Sequence, residues 1–271
     1  MTAAVAPVML PTVDVLHAEY CRKSLYAFIQ QVWPTVEPDV PFVPNWHIKK
    51  LCDILERISA GEIERAIINV PPGASKSLCV SVFWPAWEWA SKPGLRFLTV
   101  SYSDKLTIRD NLRLRDIIAS PWYQRYFKLA FREDQNQKIR MDTAQSGWRH
   151  ASSVGGMATG EHPDRIIIDD PLNPKKAMSD IERENVNTWF DQTISSRGLS
   201  RGAKLVLIMQ RLNEQDLAGY LLARGGWHHT CWPMRFDAAI ASADDPRRVP
   251  GQLLWPTLFT EEKVAALERD L

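Results

Sequence analysis

An α/β fold, a mainly parallel sheet flanked by helices, is what this sequence predicts, and three observations carry that expectation. Short apolar runs without polar alternation recur through the middle of the chain, as in strands covered on both faces. The runs alternate with segments that carry helical periodicity or a helix start signal. Neither an internal repeat nor a low-complexity linker breaks the alternation.

Taken in order, Ala66-Ile67-Ile68-Asn69-Val70 is the first strand, and Ser77 to Ala90 reads as a helix with Pro85 disturbing its middle. Pro93-Gly94 makes a turn into a second strand, Leu95 to Val100. Ser103 and Asp104 start a basic helix carrying Arg109, Arg113 and Arg115, which Pro121 closes. Ile166 to Ile168 and Leu205 to Met209 are two further apolar strands. Between them, Ser179 and Glu182 form a capping box ahead of Val186, Trp189, Phe190 and Ile194 at helical spacing. Asn213 caps a last helix that ends at Gly225-Gly226.

Composition narrows the function classes. With 271 residues, 45% of them hydrophobic, the chain can bury a large core, as one domain or one plus a small appendage. Lys and Arg total 33 against 32 for Asp and Glu, so any contact with nucleic acid must be a local basic patch rather than a whole-protein field. Cys21, Cys52, Cys79 and Cys231 lie far apart with no CxxC pair, which favours reduced thiols in a cytosolic protein over a zinc site. No apolar run reaches the roughly 18 residues of a membrane span, and residues 1 to 12 lack a signal pattern, so a soluble, untargeted protein without a membrane partner is expected.

The chemistry is concentrated in two places. Directly after the first strand stands Pro71-Pro72-Gly73-Ala74-Ser75-Lys76-Ser77, running into a helix. A strand, a tight loop of small residues, Lys-Ser and a helix are the parts of a phosphate cradle, because backbone N–H groups must close around the phosphates. Pro72 to Leu78 are then the nucleotide-binding residues: Lys76 reaches the β- and γ-phosphates and Ser77 binds magnesium. Val70 and Ser75 replace the two glycines of the GxxxxGK[ST] pattern, and a surface turn that contains Lys-Ser is the competing reading. The second place is Arg165-Ile166-Ile167-Ile168-Asp169-Asp170. Asp169 is the expected magnesium-linked carboxylate and Asp170 the base that orients or deprotonates the attacking water, a role more often filled by Glu. The competing reading there is a solvated Asp-Asp-Pro turn. Together the two motifs point to a P-loop ATPase of the RecA/ASCE-like kind, with ATP and Mg²⁺ as cofactors and adjacent strand ends bringing the motifs together.

From about Pro41 to Met234 the chain resembles the large terminase subunits of tailed double-stranded DNA bacteriophages. The resemblance is carried by Asn45-Trp46-His47, Asn69-Val70-Pro71-Pro72-Gly73 with Lys76-Ser77, Ser101-Tyr102-Ser103, Gly155-Gly156, Thr159-Gly160 and Asp169-Asp170-Pro171. It continues through Ser179, Trp189-Phe190, Ser196-Arg197 and Met209-Gln210-Arg211 with Glu214, Asp216-Leu217 and Gly219. It implies a DNA-packaging motor that acts in the host cytoplasm with the small terminase subunit and the portal protein, as a homo-oligomeric ring on the procapsid. It also implies adenine contact for Trp46 and His47, with packing as the alternative for both, and a γ-phosphate-sensing role for Gln210. Many relatives carry an arginine inside the phosphate loop where this chain has Gly73 and Ala74. An arginine finger from a neighbouring subunit is therefore expected, with Arg109, Arg115, Arg197 and Arg211 as candidates.

The resemblance divides the chain into an N-terminal helical segment (1–40), the ATPase core (41–235) and an extension toward a missing nuclease domain (236–271). Val264, Leu267 and Leu271 would leave an apolar stripe bare on that extension, as in an excised motor half. For contact with double-stranded DNA, the Arg109–Arg115 helix and Lys175-Lys176 are the candidate patches, gripping phosphates rather than base edges. A helicase-type motor and a non-hydrolysing nucleotide-binding assembly module remain open as alternatives.

Overall fold

The computed structural model describes residues 10–156, 162–195 and 202–269. Helices α1 (Val13–Lys23), α2 (Leu25–Val36) and α3 (Trp46–Ala60) precede strand β1 (Arg65–Asn69). A π-helical turn (Leu78–Phe83), α4 (Trp84–Ser91), β2 (Arg96–Ser101), α5 (Asp104–Ala119) and α6 (Pro121–Tyr126) follow. Three strands come next, β3 (Phe131–Asn136), β4 (Arg140–Thr143) and β5 (Trp148–Ser153), and then β6 (Arg165–Asp169). The described chain ends with α7 (Asp180–Trp189), a second π-helical turn (Phe190–Ser195), β7 (Lys204–Met209), α8 (Leu217–Arg224), β8 (His228–Cys231) and α9 (Glu261–Arg269).

All eight strands join one sheet in the order β3-β4-β5-β2-β6-β7-β1-β8. From β5 to β8 every pair is parallel, and β3-β4-β5 form an antiparallel edge. Because strand side chains alternate, Ile68 enters one apolar core with Phe28, Phe83, Trp84 and Phe97, while Ile67 enters another with Ile168, Val186, Phe190 and Leu217. Helices α1 and α2 contribute Cys21, Leu25, Phe28 and Val32 to the first of these cores, so they share it with the sheet. The mainly parallel, helix-flanked sheet is thus as the sequence predicts.

Several local expectations are corrected. The expected helix over Ser77 to Ala90 is one continuous run, but it opens as a π-helical turn that passes directly into α4, and Pro85 stands just after that change. Pro121 opens α6, with the Ser120 hydroxyl accepting from the Tyr123 N–H. Asp216, not Asn213, caps α8: its Oδ1 accepts from the Gly219 N–H at 2.9 Å. Asn213 instead accepts from the Gln215 N–H inside the preceding turn. Gly219 must be glycine for space, since a Cβ there would lie 1.9 Å from the Glu214 carbonyl oxygen. The Ser179 cap forms as expected, accepting from the Glu182 N–H. In α9, Val264 is buried rather than bare and Leu267 is half exposed, while Leu271 lies outside the described residues. Among the cysteines, all four are free; three are buried and Cys231 is partly so. No described helix is long and apolar enough to cross a membrane.

One buried ion pair ties a helix to the sheet. Arg165, the first residue of β6, donates to Glu88 of α4 at 2.7 and 2.9 Å, and both side chains are buried. Removing one partner strands the other charge without water, so Glu88→Ala is expected to lower unfolding stability by about 3–5 kcal/mol. Urea denaturation followed by tryptophan fluorescence measures it; a loss below about 1 kcal/mol would show that the guanidinium finds other partners.

Candidate nucleotide-binding and hydrolysis site

The loop between β1 and the π-helical turn carries positive φ at two places, +77° at Gly73 and +57° at Ser75. Only the second is costly, roughly 1–2 kcal/mol for a residue with a Cβ. Val70, the other departure from the two-glycine pattern, is not among the positive-φ residues and needs no glycine. Lys76 is buried, and its Nζ lies 3.0 Å from Asp170 Oδ2. The Ser77 hydroxyl donates to Asp169 Oδ1 at 3.0 Å.

Asp169 ends β6 and is buried. Its second oxygen accepts from the Ser81 hydroxyl at 2.8 Å. Burial pushes its pKa up to about 7; the negative charges of Asp170 and Asp110 add to the rise, and the Ser81 hydrogen bond and Lys76 oppose it. Behind it, the fully buried Arg149 of β5 donates to Asn111 at 2.5 Å and feels both Asp110 and Asp169.

Asp170 is held by backbone on every side. Its φ is +42°, its N–H donates to the Ile208 carbonyl at 2.9 Å, and its own carbonyl accepts from the Tyr102 N–H at 3.2 Å. These bonds present a quarter-exposed carboxylate, which accepts from the Gln210 N–H at 3.1 Å as well as from Lys76. The expectation of adjacent strand ends is corrected here. Strand β7 lies between β1 and β6, and Gln210 follows directly from its end. The Lys-Ser loop and the acidic pair therefore meet across the end of β7, and Gln210 takes part through its backbone.

The other expected site residues fall into groups. Pro72 and Gly73 are exposed, Ser75 and Leu78 half-buried and Ala74 buried. Trp46 packs edge-on against Trp232 with ring centroids 5.5 Å apart. His47 is fully buried, and its ring nitrogens lie at hydrogen-bond distance from the Ala74 carbonyl and the Asn45 side-chain amide. Arg109 pairs with Asp110 and Arg113 with Glu37. Arg211 pairs with the buried Asp216 at 3.1 Å and also donates to the carbonyls of Asn213 and Glu214. Arg115 is half-buried on α5. Arg197, Ser196, Thr159 and Gly160 lie outside the described residues. Lys175 and Lys176 sit on a 3₁₀ turn after the acidic pair, with Lys176 bound to Glu182.

The fold is shared with the HK97 bacteriophage large terminase. The two structures align with a TM-score of 0.55 at 15% identity over 84% of this chain, and the chain spans 46% of that terminase. An ATPase-domain variant of the Thermus phage P74-26 large terminase aligns at a TM-score of 0.44 and 13% identity, covering 64% of this chain and 73% of that one. No protein-family model matches the sequence, and no curated protein matches it.

With that fold in place, two contributions stand out that sequence reading missed. Ser81 lies four residues after Ser77, a spacing that returns to the same side of a helical turn, and both hydroxyls bind Asp169. That spacing was a usable signal. Phe259, far along the chain, lies so close to Gly73 that a Cβ there would meet its ring at 2.9 Å. No local pattern signals that contact.

Proposed function

We propose that this chain is the ATP-hydrolysing motor domain of a phage terminase large subunit, driving double-stranded DNA into a procapsid. One observation carries the reading: Lys76 and Ser77 on one loop meet Asp169 and Asp170 on a strand two positions away in the sheet. A solvated turn in either place would not bury Lys76 against a carboxylate or aim two hydroxyls at another.

Each group has a distinct role in this reading. The loop backbone, with its left-handed residues, gathers N–H groups toward phosphate oxygens. Lys76 leaves Asp170 for the β- and γ-phosphates, and Asp170, released, accepts the proton of the attacking water. Ser77 and Asp169 would hold magnesium, which when bound would offset charge on the phosphoryl oxygens. The residues fit it: the Ser77 hydroxyl and the Asp169 carboxylate already meet at 3.0 Å, and magnesium carried by phosphates needs only one or two carboxylates. Gln210, bonded to Asp170 through its N–H, is placed to report the state of that carboxylate along β7.

The small subunit, the portal protein, a ring of copies and the host cytoplasm belong to the same proposal, as do an N-terminal helical segment over 1–40, a core over 41–235 and a C-terminal extension over 236–271. A ring neighbour supplies the missing cation; among the described candidates Arg109 and Arg211 are paired, whereas the Arg115 side chain has no ion pair or hydrogen bond to a described residue. The decisive assay is Mg²⁺-dependent phosphate release from ATP. The wild type is expected to turn over, and Lys76→Ala to lose about 10²–10³-fold, the effect of removing one electrostatic donor. Equal rates in both proteins, or no turnover in the wild type at any protein concentration, would instead favour a non-hydrolysing module.

A further inference from the structure

We propose that His47 is a positioning residue for the phosphate-binding loop, holding the Ala74–Ser75 peptide in the orientation that a glycine secures elsewhere. The inference rests on the nucleotide-binding reading above and assigns the loop's support to a residue outside it.

The hydrogen bonds define the direction of the effect. His47 Nε2 lies 3.1 Å from the Ala74 carbonyl oxygen, which can only accept, so Nε2 carries the proton. Nδ1 then accepts from the Asn45 side-chain amide at 2.5 Å, which fixes that tautomer. The same amide donates to the Leu254 carbonyl at 2.8 Å, anchoring the pair to a distant part of the chain. Trp255 and Trp46 flank the imidazole edge-on, with ring centroids at 5.0 and 6.0 Å. Burial pushes the imidazole pKa down to about 4, against the pull of the Ala74 bond and with a smaller push from Arg247, so the ring is neutral near pH 7.

The loop geometry explains why this matters. A trans peptide is planar, with its N–H opposite its C=O. With the Ala74 carbonyl drawn inward to a fully buried ring, the Ser75 N–H is turned the opposite way, out of the core. The orientation of that plane is set by ψ of Ala74 and φ of Ser75, and φ of Ser75 is +57°. Holding the carbonyl therefore holds Ser75 in the left-handed region that its Cβ disfavours. Phe259, lying against Gly73, limits movement of the preceding residue.

Equilibrium binding of a fluorescent ATP analogue with Mg²⁺, alongside thermal melting, tests the idea on the whole chain. His47→Leu is expected to weaken binding about tenfold, the loss of one buried hydrogen bond. His47→Gln, whose amide can still donate to Ala74, is expected to stay within about threefold of wild type. Adding Ser75→Gly to His47→Leu should recover most of the affinity, because glycine takes the left-handed conformation unaided. A merely structural role would lower the melting temperature without that rescue. If His47→Leu does not fold, Asn45→Ala, which frees Nδ1, is expected to weaken binding severalfold with the same glycine rescue. Unchanged affinity in the leucine variant, or no rescue by Ser75→Gly while Lys76→Ala abolishes binding, overturns the inference. Failure of the wild type itself to bind overturns the reading beneath it, and this one with it.

Discussion

Replacing Asp170 by asparagine is expected to slow phosphate release about 10²–10⁴-fold, the range of a positioned general base, while leaving ATP bound. The substitution keeps the size and planarity of the side chain. Its Oδ1 can still accept from the Gln210 N–H, now at 3.1 Å, so the end of β7 stays in register with the acidic strand. Lost are the capacity to take a proton and the negative charge that now holds Lys76 at 3.0 Å. Freed of that partner, Lys76 turns to the triphosphate more readily, so binding should hold steady or tighten as turnover collapses. Single-turnover phosphate release and equilibrium binding, measured on the same preparation, separate the two. Turnover within tenfold of wild type would place the base elsewhere, and joint loss of binding and turnover would make Asp170 a structural residue.

The strands that carry this chemistry were legible because they are covered on both faces. β1, β2, β6 and β7 are nearly all buried, and their sequences are the apolar runs that predicted a parallel sheet. β4 and β5 read Arg-Met-Asp-Thr and Trp-Arg-His-Ala-Ser-Ser, too polar to announce themselves, and they lie toward the antiparallel edge. Strand order was beyond local pattern as well: nothing in Lys204–Met209 states that it inserts between the loop strand and the acidic strand. At the site, Lys76, Ser77, Asp169 and Asp170 are legible by charge and sequence order, and the fold brings them together. The resemblance implies adenine contact for His47, with packing as the alternative, and the bond from its ring to Ala74 is backed by Leu254 and Trp255, some 200 residues later in the chain and beyond any local pattern.

Asp169 gives the second large effect, and its sign follows from burial. An ordinary aspartate has a pKa near 3.8, whereas here the carboxyl is pushed up to about 7 by burial and by the neighbouring Asp170 and Asp110. Between those values the folded protein keeps a proton that the unfolded chain has released. The contribution of this group is therefore fully present below about pH 4 and is lost as pH rises to about 7, falling by up to about 1.4 kcal/mol per pH unit and levelling off above. Urea midpoints at pH 5 and pH 7 in the presence of a chelator should differ more for the wild type than for Asp169→Asn, which cannot ionise. Above pH 7 the same carboxylate carries a buried charge that, among the described residues, the Ser77 and Ser81 hydroxyls bind. Asp169 would share that charge with magnesium brought by nucleotide, so Mg²⁺-nucleotide should stabilise the wild type at pH 8 far more than the asparagine variant. Turnover should fall about 10³-fold in that variant, since the metal contributes several kcal/mol to the transition state. Equal pH slopes in the two proteins would mean that Asp169 is ionised across the range, with water rather than protein around its carboxylate.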